Sequence, residues 1–532
     1  MEVNCIFASC MKKLKSNGMG FSVKETADLF HVSPGTVVNW VKEGSMEMDE
    51  QNLVTQKSII RFQRDFVGKT KLHSRANKQF KDGHDHQEVE GAIKKALQEK
   101  PFDLGLGDRY ENMLSESYKN KEGICYTPMH IVEDMMSGMQ VDDSTTFLDP
   151  CCGTGNFLVK ALEKGIRPQN LYGFDTDPNA VMIAQRRVQE LTGCRAEHVV
   201  CADFLKECPA LNVRFDLAFT NPPWGKKLSQ AQRVEYAQPY LAGTNTDTCS
   251  LFLLAILSTL KPNGVAGLLL PESFFKIAAF EEVRRIVLQK AILEMKDYGK
   301  PFPHVMYSAV SLVVKQSVFD SATEVRCHYQ GRSFSRPQRG FLSMPRCNLN
   351  YWTRPEDMKL MEELLEKPCL SLKGHAVWGL GIVTGNNAKM CKRSRRIGLV
   401  PVYRGKDILP GRLKAAHYFI NPDDFPRYQQ MAPVELYLAP EKLVYRFISN
   451  KLVFYCDTHQ RYILNSANML VLDNDFPVNA RSLAKVLNSP LTNWLFQQLF
   501  HTHKILRGDL EILPIFTDLS LHQRFNLLNL NG

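Results

Sequence analysis

Residues Asn221-Pro222-Pro223-Trp224 form the group in this chain whose types and order best fit a chemical reaction. They follow the apolar run 215–219, which is typical of a strand, so we expect them at the sheet edge where open α/β sheets bind ligands. The Asn221 side-chain oxygen and the Pro222 carbonyl can accept hydrogen bonds from a purine amine and activate it toward a methyl group, because the prolines hold both acceptors in place. Trp224 offers a flat face for the base. The alternative is a Pro-Pro turn that only closes a strand.

A glycine turn lies upstream, in a segment that reads as a strand, a turn and a helix over residues 147–157. Gly153 and Gly155 allow the backbone to approach a ligand where a side chain would collide. The third glycine of a dinucleotide fingerprint is missing, which argues against NAD and against a pyrophosphate. The candidate ligand-binding residues of this segment are Asp149, Pro150, Cys151, Gly153, Gly155, Asn156 and Phe157.

Carboxylates follow the next two predicted strands. Asp175-Thr176 comes about 20 residues after the glycine turn, where dinucleotide-binding folds place an acid on the ribose hydroxyls. Asp203 is expected to hold an adenine amine, while Phe204 stacks on the ring. A ligand with adenine and ribose but no phosphate indicates S-adenosylmethionine. A generic nucleotide turn with surface carboxylates is the alternative for each piece taken alone.

The order of elements predicts an α/β fold. Strand-like runs alternate with helical segments, which is typical of a Rossmann-like, mostly parallel mixed sheet with crossover helices. At 532 residues the chain is too long for one core. The expected strands are Thr146–Leu148, Leu171–Phe174, Phe215–Phe219, Gly264–Leu270 and Ser308–Val314. The expected regions are a small helical module at 1–45, a charged helical linker at 46–100, a catalytic domain at 101–320 and an α+β domain at 321–532.

The N-terminal module contains two helix starts. Ser22 and Glu25 form a capping box, and Ser33-Pro34 supplies an N-cap and a first-turn proline. The pattern resembles the helix-turn-helix of excisionase-like and MerR-like regulators, whose second helix enters the major groove. The candidate DNA contacts are Thr36, Asn39 and Lys42. The alternative is a helical hairpin that packs on the catalytic domain or on a partner.

Charge and cysteine content limit the class of protein. A net charge of +10 and a pI near 8.8 favour a polyanionic partner. The 14 cysteines include no Cys-x-x-Cys pair and no Cys/His set at zinc spacing, which predicts reduced thiols in a cytoplasmic protein. We expect neither a signal peptide nor a membrane span.

A basic cluster near residue 400 is expected to contact phosphates and to make DNA affinity depend strongly on salt. A solvated loop is the alternative. The candidate residues are Lys389, Lys392, Arg393, Arg395, Arg396, Arg404 and Lys406.

The motifs occur in an order that resembles the gamma-class N6-adenine DNA methyltransferases, the TaqI-like and type IIG group of restriction–modification enzymes. Tyr126-Thr127-Pro128 resembles their first cofactor motif, 149–157 their glycine loop, and 221–224 their catalytic tetrapeptide. The segment 381–387 resembles a signature of their recognition domain. The resemblance therefore implies that residues 321–532 recognise the target sequence, and that Tyr126, Thr127 and Pro128 contact S-adenosylmethionine.

The resemblance also implies a mechanism and a setting. The target adenine would be flipped out of duplex DNA. Trp224 would stack on one face of the base and Phe302 on the other. The alternative for Phe302 is a residue of the hydrophobic core, which the sequence favours equally. Transfer would be a direct displacement, with no covalent enzyme intermediate and no metal. We expect a monomer from bacteria, a phage or a mobile element, with any restriction endonuclease on a separate protein.

Three other functions compete with this one. RNA methyltransferases and release-factor glutamine methyltransferases share a similar tetrapeptide, but they do not need a 200-residue recognition domain. A DNA-binding regulator with an inactive methyltransferase domain is a second alternative. A fused nuclease is the third, but residues 1–100 lack a convincing Pro-Asp…Glu-x-Lys pattern. The sequence therefore favours a site-specific adenine-N6 DNA methyltransferase of a restriction–modification or related defence system.

Overall fold

The computed structural model describes residues 20–30, 32, 34–42, 46–49, 51–65, 89–114, 126–226, 228–243, 246–302, 307–320 and 322–529. Within these ranges, no helix has the length and apolar character needed to cross a bilayer.

A nine-stranded sheet forms the centre of the catalytic domain, in the order β3-β2-β1-β4-β5-β7-β6-β8-β9. The first five strands in this order are parallel, and β7 runs antiparallel between β5 and β6. This confirms the expected mixed, mostly parallel sheet. The strands are β1 Phe147–Asp149, β2 Leu171–Asp175, β3 Val199–Cys201, β4 Phe215–Thr220, β5 Leu260–Pro271, β6 Lys290–Asp297, β7 Ala309–Val318, β8 Glu324–Tyr329 and β9 Arg332–Pro337.

The predicted strands are present with shifted ends. Thr146 lies just before β1, and β5 starts four residues earlier than the expected Gly264. These ends move because hydrogen bonding to neighbouring strands, rather than apolar content, sets where a strand begins.

Helices connect the parallel strands and cover the sheet. Thr248–Thr259 is apolar on nearly every side and buried almost throughout, which is expected of a central helix. The other helices of this domain are Leu106–Met113, Met129–Met136, Asn156–Glu163, Pro178–Thr192, Phe204–Glu207, Gln230–Ala237 and Glu281–Val287, and residues 89–96 are also helical.

The strand order reverses at β1, which pairs with β2 on one side and with β4 on the other. The connections from β1 and β4 therefore leave in opposite directions and open a crevice at the carboxyl ends of these strands. Ligands of open α/β sheets bind at such a point.

The catalytic domain continues beyond the expected boundary at residue 320. β8 pairs with β6, and β9 pairs with β8, so the sheet extends to Pro337. Phe341, Tyr351 and Trp352 are buried in the same core as the sheet. The alternation of strands and helices ends near 320 because these last strands form a hairpin at the sheet edge without a crossover helix.

The C-terminal region is α+β, as expected. It has a four-stranded antiparallel sheet (β10-β18-β15-β16), a three-stranded sheet (β14-β11-β17) and the hairpin β12-β13. Its strands are β10 Ala376–Leu380, β11 Val400–Tyr403, β12 Ile408–Leu409, β13 Arg412–Leu413, β14 Tyr418–Ile420, β15 Lys442–Arg446, β16 Phe454–Asp457, β17 Tyr462–Ile463 and β18 Ala467–Leu472. Its helices are Arg339–Leu342, Pro355–Leu365, Asn387–Met390, Val434–Tyr437, Ala480–Leu487, Pro490–Phe500, Arg507–Ile512 and Leu519–Asn529.

Side-chain hydrogen bonds join the two regions where helix 490–500 ends. Asn348 donates to the Leu499 carbonyl at 3.0 Å, and Trp352 Nε1 donates to the Gln498 carbonyl at 3.0 Å. Lys276 Nζ donates to the His501 carbonyl at 2.6 Å. These bonds satisfy carbonyls that a helix C-terminus leaves without intrahelical partners.

The N-terminal module has the predicted helices, Val23–Leu29 and Pro34–Lys42, and the Ser22–Glu25 capping box is formed. A third helix, Gln56–Asp65, closes the module. Phe62 stands 4.5 Å from Trp40 between ring centroids and shares its core. The module therefore extends past residue 45 into the segment expected to be a linker.

Candidate active site

A cavity of about 430 Å³ opens at the carboxyl ends of β1, β2, β3 and β4. This volume lies in the range of small-molecule sites. Nine residues predicted to bind the cofactor line it: Tyr126, Pro150, Cys151, Gly153, Asp175, Thr176, Asp203, Phe204 and Asn221.

A smaller pocket of about 30 Å³ shares part of this wall. Thr127, Asp149, Asn156 and Phe157 line it, together with Tyr126, Cys151 and Asn221 from the wall of the larger cavity. Pro128 and Gly155 line neither space. Pro128 is the N-cap of helix 129–136, and Gly155 begins helix 156–163 with a φ of +90°.

The glycine turn brings the backbone against Tyr126. Gly153 has a φ of +48°, and a Cβ there would lie 2.5 Å from Tyr126 Cε1. Its amide donates to Asp175 Oδ2 at 2.8 Å. Glycine is therefore required here both for its backbone conformation and for the close approach of the tyrosine ring.

Asp175 ends β2 and is held by two backbone amides. Oδ2 accepts from Gly153, and Oδ1 accepts from Asp177 N at 2.9 Å. Burial raises the pKa of the Asp175 carboxyl in spite of these bonds. Each oxygen keeps further acceptor capacity, which suits a pair of ribose hydroxyls.

Asp149 ends β1 and is almost fully buried. Oδ1 accepts from Cys151 N at 3.2 Å, whereas Oδ2 has no hydrogen-bond partner among the described residues. Burial raises the pKa of this carboxyl to about 7. A buried acceptor without a partner is expected to meet a donor on a ligand, so the site fits a cofactor that carries hydrogen-bond donors or a positive charge.

Asn156 connects the glycine turn to the segment 126–128. Its Nδ2 donates to the Thr127 carbonyl at 2.9 Å, and its Oδ1 accepts from Arg187 Nη1 at 2.7 Å. The same Arg187 nitrogen donates to the Thr154 carbonyl at 2.8 Å. Asn156 therefore holds two parts of the site together, and the supporting Arg187 was missed because it lies mid-helix in no motif.

Asp203 lies after β3 and caps helix 204–207. Oδ1 accepts from Leu205 N at 3.1 Å, and Oδ2 accepts from the Tyr236 hydroxyl at 2.6 Å. Phe204 is almost fully buried and stacks on Phe252, with ring centroids 6.1 Å apart. Sequence reasoning missed three residues of this wall because they belong to helices with no recognisable motif: Met182, Tyr236 and Phe252. It also missed Lys226, which lies in the loop after the tetrapeptide.

The tetrapeptide follows the last residue of β4, as predicted. Asn221 and Pro223 line the larger cavity, and Pro222 is buried. Trp224 Nε1 donates to the Leu269 carbonyl of β5 at 3.1 Å, which fixes the indole.

Trp224 and Phe302 are in direct contact. Their ring centroids lie 5.6 Å apart with an interplanar angle of 78°, and Phe302 is buried in the core below the site. This edge-to-face contact leaves no slot for a base between them. A base stacked between both rings would require one ring to move.

The basic cluster divides into two kinds of residue. Arg404 is partly buried, with Nε 3.2 Å from Asp407 Oδ2 and its guanidinium over the Tyr418 ring at 4.3 Å. The other candidates are exposed: Lys389, Lys392, Arg393, Arg395, Arg396 and Lys406. In the N-terminal module, Thr36 is partly buried, and the side chains of Asn39 and Lys42 lie outside the described residues.

A mostly parallel sheet with a glycine turn, and with carboxylates at the ends of successive strands around a cavity of about 430 Å³, is the arrangement expected of a Rossmann-like methyltransferase. The family model described as N-6 DNA Methylase matches residues 103–295, and the TaqI-like C-terminal specificity domain matches residues 400–515. The Type II methyltransferase M.VspI of Vibrio sp. (strain 343) is 39% identical over 389 residues, which are 73% of this chain and 95% of that protein. This chain belongs to the N-6 DNA methylase family.

More distant relatives share parts of the chain. The Type I restriction enzyme MjaIX methylase subunit of Methanocaldococcus jannaschii is 24% identical over 186 residues, 32% of this chain and 33% of that protein. The Type IIL restriction-modification enzyme MmeI, solved in complex with DNA, has the same fold, with a TM-score of 0.52 and 10% identity over 76% of this chain and 70% of that one.

Family membership confirms the expected class. The chain is an adenine-specific DNA methyltransferase of the restriction–modification type that uses S-adenosylmethionine, with a C-terminal target-recognition domain. The alternatives of an RNA or glutamine methyltransferase and of an inactive regulator are not favoured.

Proposed function

We propose that this chain is a gamma-class enzyme that methylates the N6 amine of an adenine flipped out of duplex DNA, with Asn221-Pro222-Pro223-Trp224 as the catalytic segment. One observation carries the proposal. Asn221 lines both the 430 Å³ cavity and the smaller pocket beside Asp149, directly after β4. Asn221 therefore borders both spaces, and this supports a role in which its amide meets the base amine beside the methyl group.

In this proposal the tetrapeptide makes the amine nucleophilic. The Asn221 Oδ1 and the Pro222 carbonyl would each accept a hydrogen bond from one of the two amine N–H groups. The nitrogen lone pair would then be less delocalised into the ring and would point toward the methyl carbon. S-adenosylmethionine supplies a methyl group on a positively charged sulfur. The new N–C bond forms as the S–C bond breaks, the bonding pair stays on sulfur, and the amine proton passes to solvent. The rest of the rate acceleration would come from holding the amine nitrogen in line with the methyl group.

The cofactor would be held along the carboxyl edge. Asp175 would accept the ribose hydroxyls, Asp203 the adenine amine, and Phe204 would contact the adenine ring. Asp149 Oδ2, a buried acceptor without a partner among the described residues, would take a hydrogen bond from a donor at the methionyl end. Tyr126, Thr127 and Pro128 would close the site from the segment that Asn156 fixes.

On the DNA side, the proposal assigns base stacking to Trp224, joined by Phe302 after a ring movement. Six exposed basic side chains of the C-terminal domain would contact phosphates: Lys389, Lys392, Arg393, Arg395, Arg396 and Lys406. Arg404 would mainly support the loop. The N-terminal helix-turn-helix would add DNA contacts through Thr36, Asn39 and Lys42. We further propose a monomer in the bacterial cytoplasm that needs no metal and works beside a separate restriction endonuclease.

Modification-sensitive long-read sequencing of a methylation-free bacterial host tests the function. Cells expressing the wild-type chain should carry N6-methyladenine at one sequence motif, and cells expressing Asn221→Ala should not. Methylation by both proteins would contradict the catalytic assignment. Soluble wild-type protein that binds cofactor but leaves the DNA unmodified would contradict the proposed substrate or the proposed independence from a partner subunit.

A further inference from the structure

The helix that follows the catalytic tetrapeptide forms one wall of the cofactor cavity. Helix Gln230–Ala237 begins with a capping box at Ser229 and Gln232, five residues after Trp224. Lys226, Leu228, Gln232 and Tyr236 from this segment line the cavity. The chain therefore runs from the reacting end of the site along the cavity to the adenine end.

This segment is fixed at both ends. At the catalytic end, the Thr248 hydroxyl donates to the Lys226 carbonyl at 3.1 Å. At the adenine end, the Tyr236 hydroxyl donates to Asp203 Oδ2 at 2.6 Å. The Tyr236 side chain is buried whereas Asp203 is half-buried, so this bond lies in the wall of the cavity.

The Tyr236 hydroxyl can act only as a donor toward the Asp203 carboxylate. Burial and the neighbouring Asp203 charge raise the pKa of Tyr236, so the phenol keeps its proton. Asp203 Oδ1 is occupied by the Leu205 amide at 3.1 Å. Together, the two bonds fix the rotation of the Asp203 carboxylate. The lone pairs that can still accept a hydrogen bond therefore point in one direction.

We propose that Tyr236 is a positioning residue for adenine recognition: it orients Asp203 toward the cofactor 6-amine and connects that contact to the segment behind the catalytic tetrapeptide. This inference rests on the proposed role of Asp203 in holding the adenine amine.

Tyr236→Phe removes one hydroxyl and keeps the buried ring. Asp203 would lose one of the two bonds that hold it toward the amine, so we expect the KM for S-adenosylmethionine and the Kd for S-adenosylhomocysteine to rise roughly tenfold, which corresponds to about 1.4 kcal/mol. The kcat at saturating cofactor should stay within about twofold. The matched control is Tyr240→Phe, which removes a hydroxyl one helical turn further on that makes no bond to Asp203.

The deciding measurement is a ratio of two affinities within each protein. Calorimetry would give the Kd of S-adenosylhomocysteine and of its 6-deamino analogue, in which hydrogen replaces the adenine amine. The ratio reports the amine contact alone and does not depend on the folded fraction. It should be large for the wild type and Tyr240→Phe, and several-fold smaller for Tyr236→Phe.

The outcomes separate the two levels of the proposal. If the wild type discriminates between the two ligands and Tyr236→Phe discriminates equally well, Tyr236 does not position Asp203. If the wild type does not discriminate, the role of Asp203 in the proposed function fails, and the inference about Tyr236 fails with it. A smaller ratio in Tyr236→Phe alone supports both.

Discussion

The cofactor edge of the catalytic sheet and the basic loop of the C-terminal domain use polar residues in opposite ways. At the sheet edge, Asp149, Asp175 and Asp203 are oriented by backbone amides or by Tyr236, and they line the two adjoining spaces at the carboxyl ends of the strands. In the loop, residues such as Arg395 and Arg396 extend into solvent. The first region is organised before any ligand arrives, whereas the charges of the second are left for an external partner.

This difference predicts which measured property the substitutions in each region should change. Substitutions at the sheet edge should change catalysis or cofactor affinity and depend little on salt, because buried interactions are poorly screened. Substitutions in the loop should change DNA affinity and its salt dependence. A sheet-edge substitution that changes the salt dependence of DNA affinity, or a loop substitution that changes cofactor affinity, would contradict this comparison.

The largest expected effect belongs to Asn221→Ala. Loss of one preorganised hydrogen-bonding group at a reacting centre typically lowers kcat about 100- to 1,000-fold. Single-turnover methylation measures this loss, and calorimetry should find the Kd for S-adenosylhomocysteine within about twofold of the wild type. A variant with wild-type turnover would remove Asn221 from the mechanism.

Gly153→Ala should weaken cofactor binding next most strongly. The φ of +48° disfavours a side chain, and the new Cβ would meet Tyr126 at 2.5 Å. Strain of this kind costs about 1–3 kcal/mol, so the Kd should rise roughly tenfold or more. Gly138→Ala is the control, because its Cβ meets nothing within 4 Å. Equal affinities for both variants would show that the turn tolerates a side chain.

The triple change of Arg393, Arg395 and Arg396 to Gln should act on DNA alone. Each phosphate that the protein no longer neutralises lowers the slope of log affinity against log salt by about 0.9, while kcat at saturating DNA should not change. The control replaces three exposed lysines of the same domain with Gln, namely Lys359, Lys367 and Lys373. If the control lowers the slope as much, net charge rather than this loop holds the DNA.

The last prediction concerns the protein without ligand and is a pH dependence of its stability at Asp149. Its pKa of about 7 in the fold exceeds that of an exposed aspartate, so the folded protein binds more protons than the unfolded chain between about pH 4 and 7. Stability should therefore fall as pH rises through this window, by up to about 1.4 kcal/mol per pH unit. Asp149→Asn should lack this component in denaturant titrations without ligand. Identical pH profiles would show that Asp149 is not buried as a neutral acid.

The basic cluster near residue 400 shows which features of a binding surface the sequence alone predicts and which it does not. Its composition indicated a phosphate-binding surface, but the pairing of Arg404 with Asp407 and Tyr418 came only from the fold. Asp407 is one acid among many bases in the sequence, and no spacing rule marks it as the partner of Arg404. Likewise, the catalytic domain was expected to end near 320 because β8 and β9 join the sheet edge without the helix that made the earlier strands recognisable.

By itself, the sequence determined the class of fold, the cofactor edge and the tetrapeptide. Strands and turns are local, and the parallel connections bring the ends of consecutive strands to one edge. Only the tertiary structure decided which distant side chains complete the site. Tyr236 and Arg187 lie on helices whose apolar pattern indicates that one face is buried but not what it meets. Phe252 lies on a helix that is apolar on nearly every side, so no pattern singles out its contact. Their contacts depend on helix rotation and packing distance, which local periodicity does not specify.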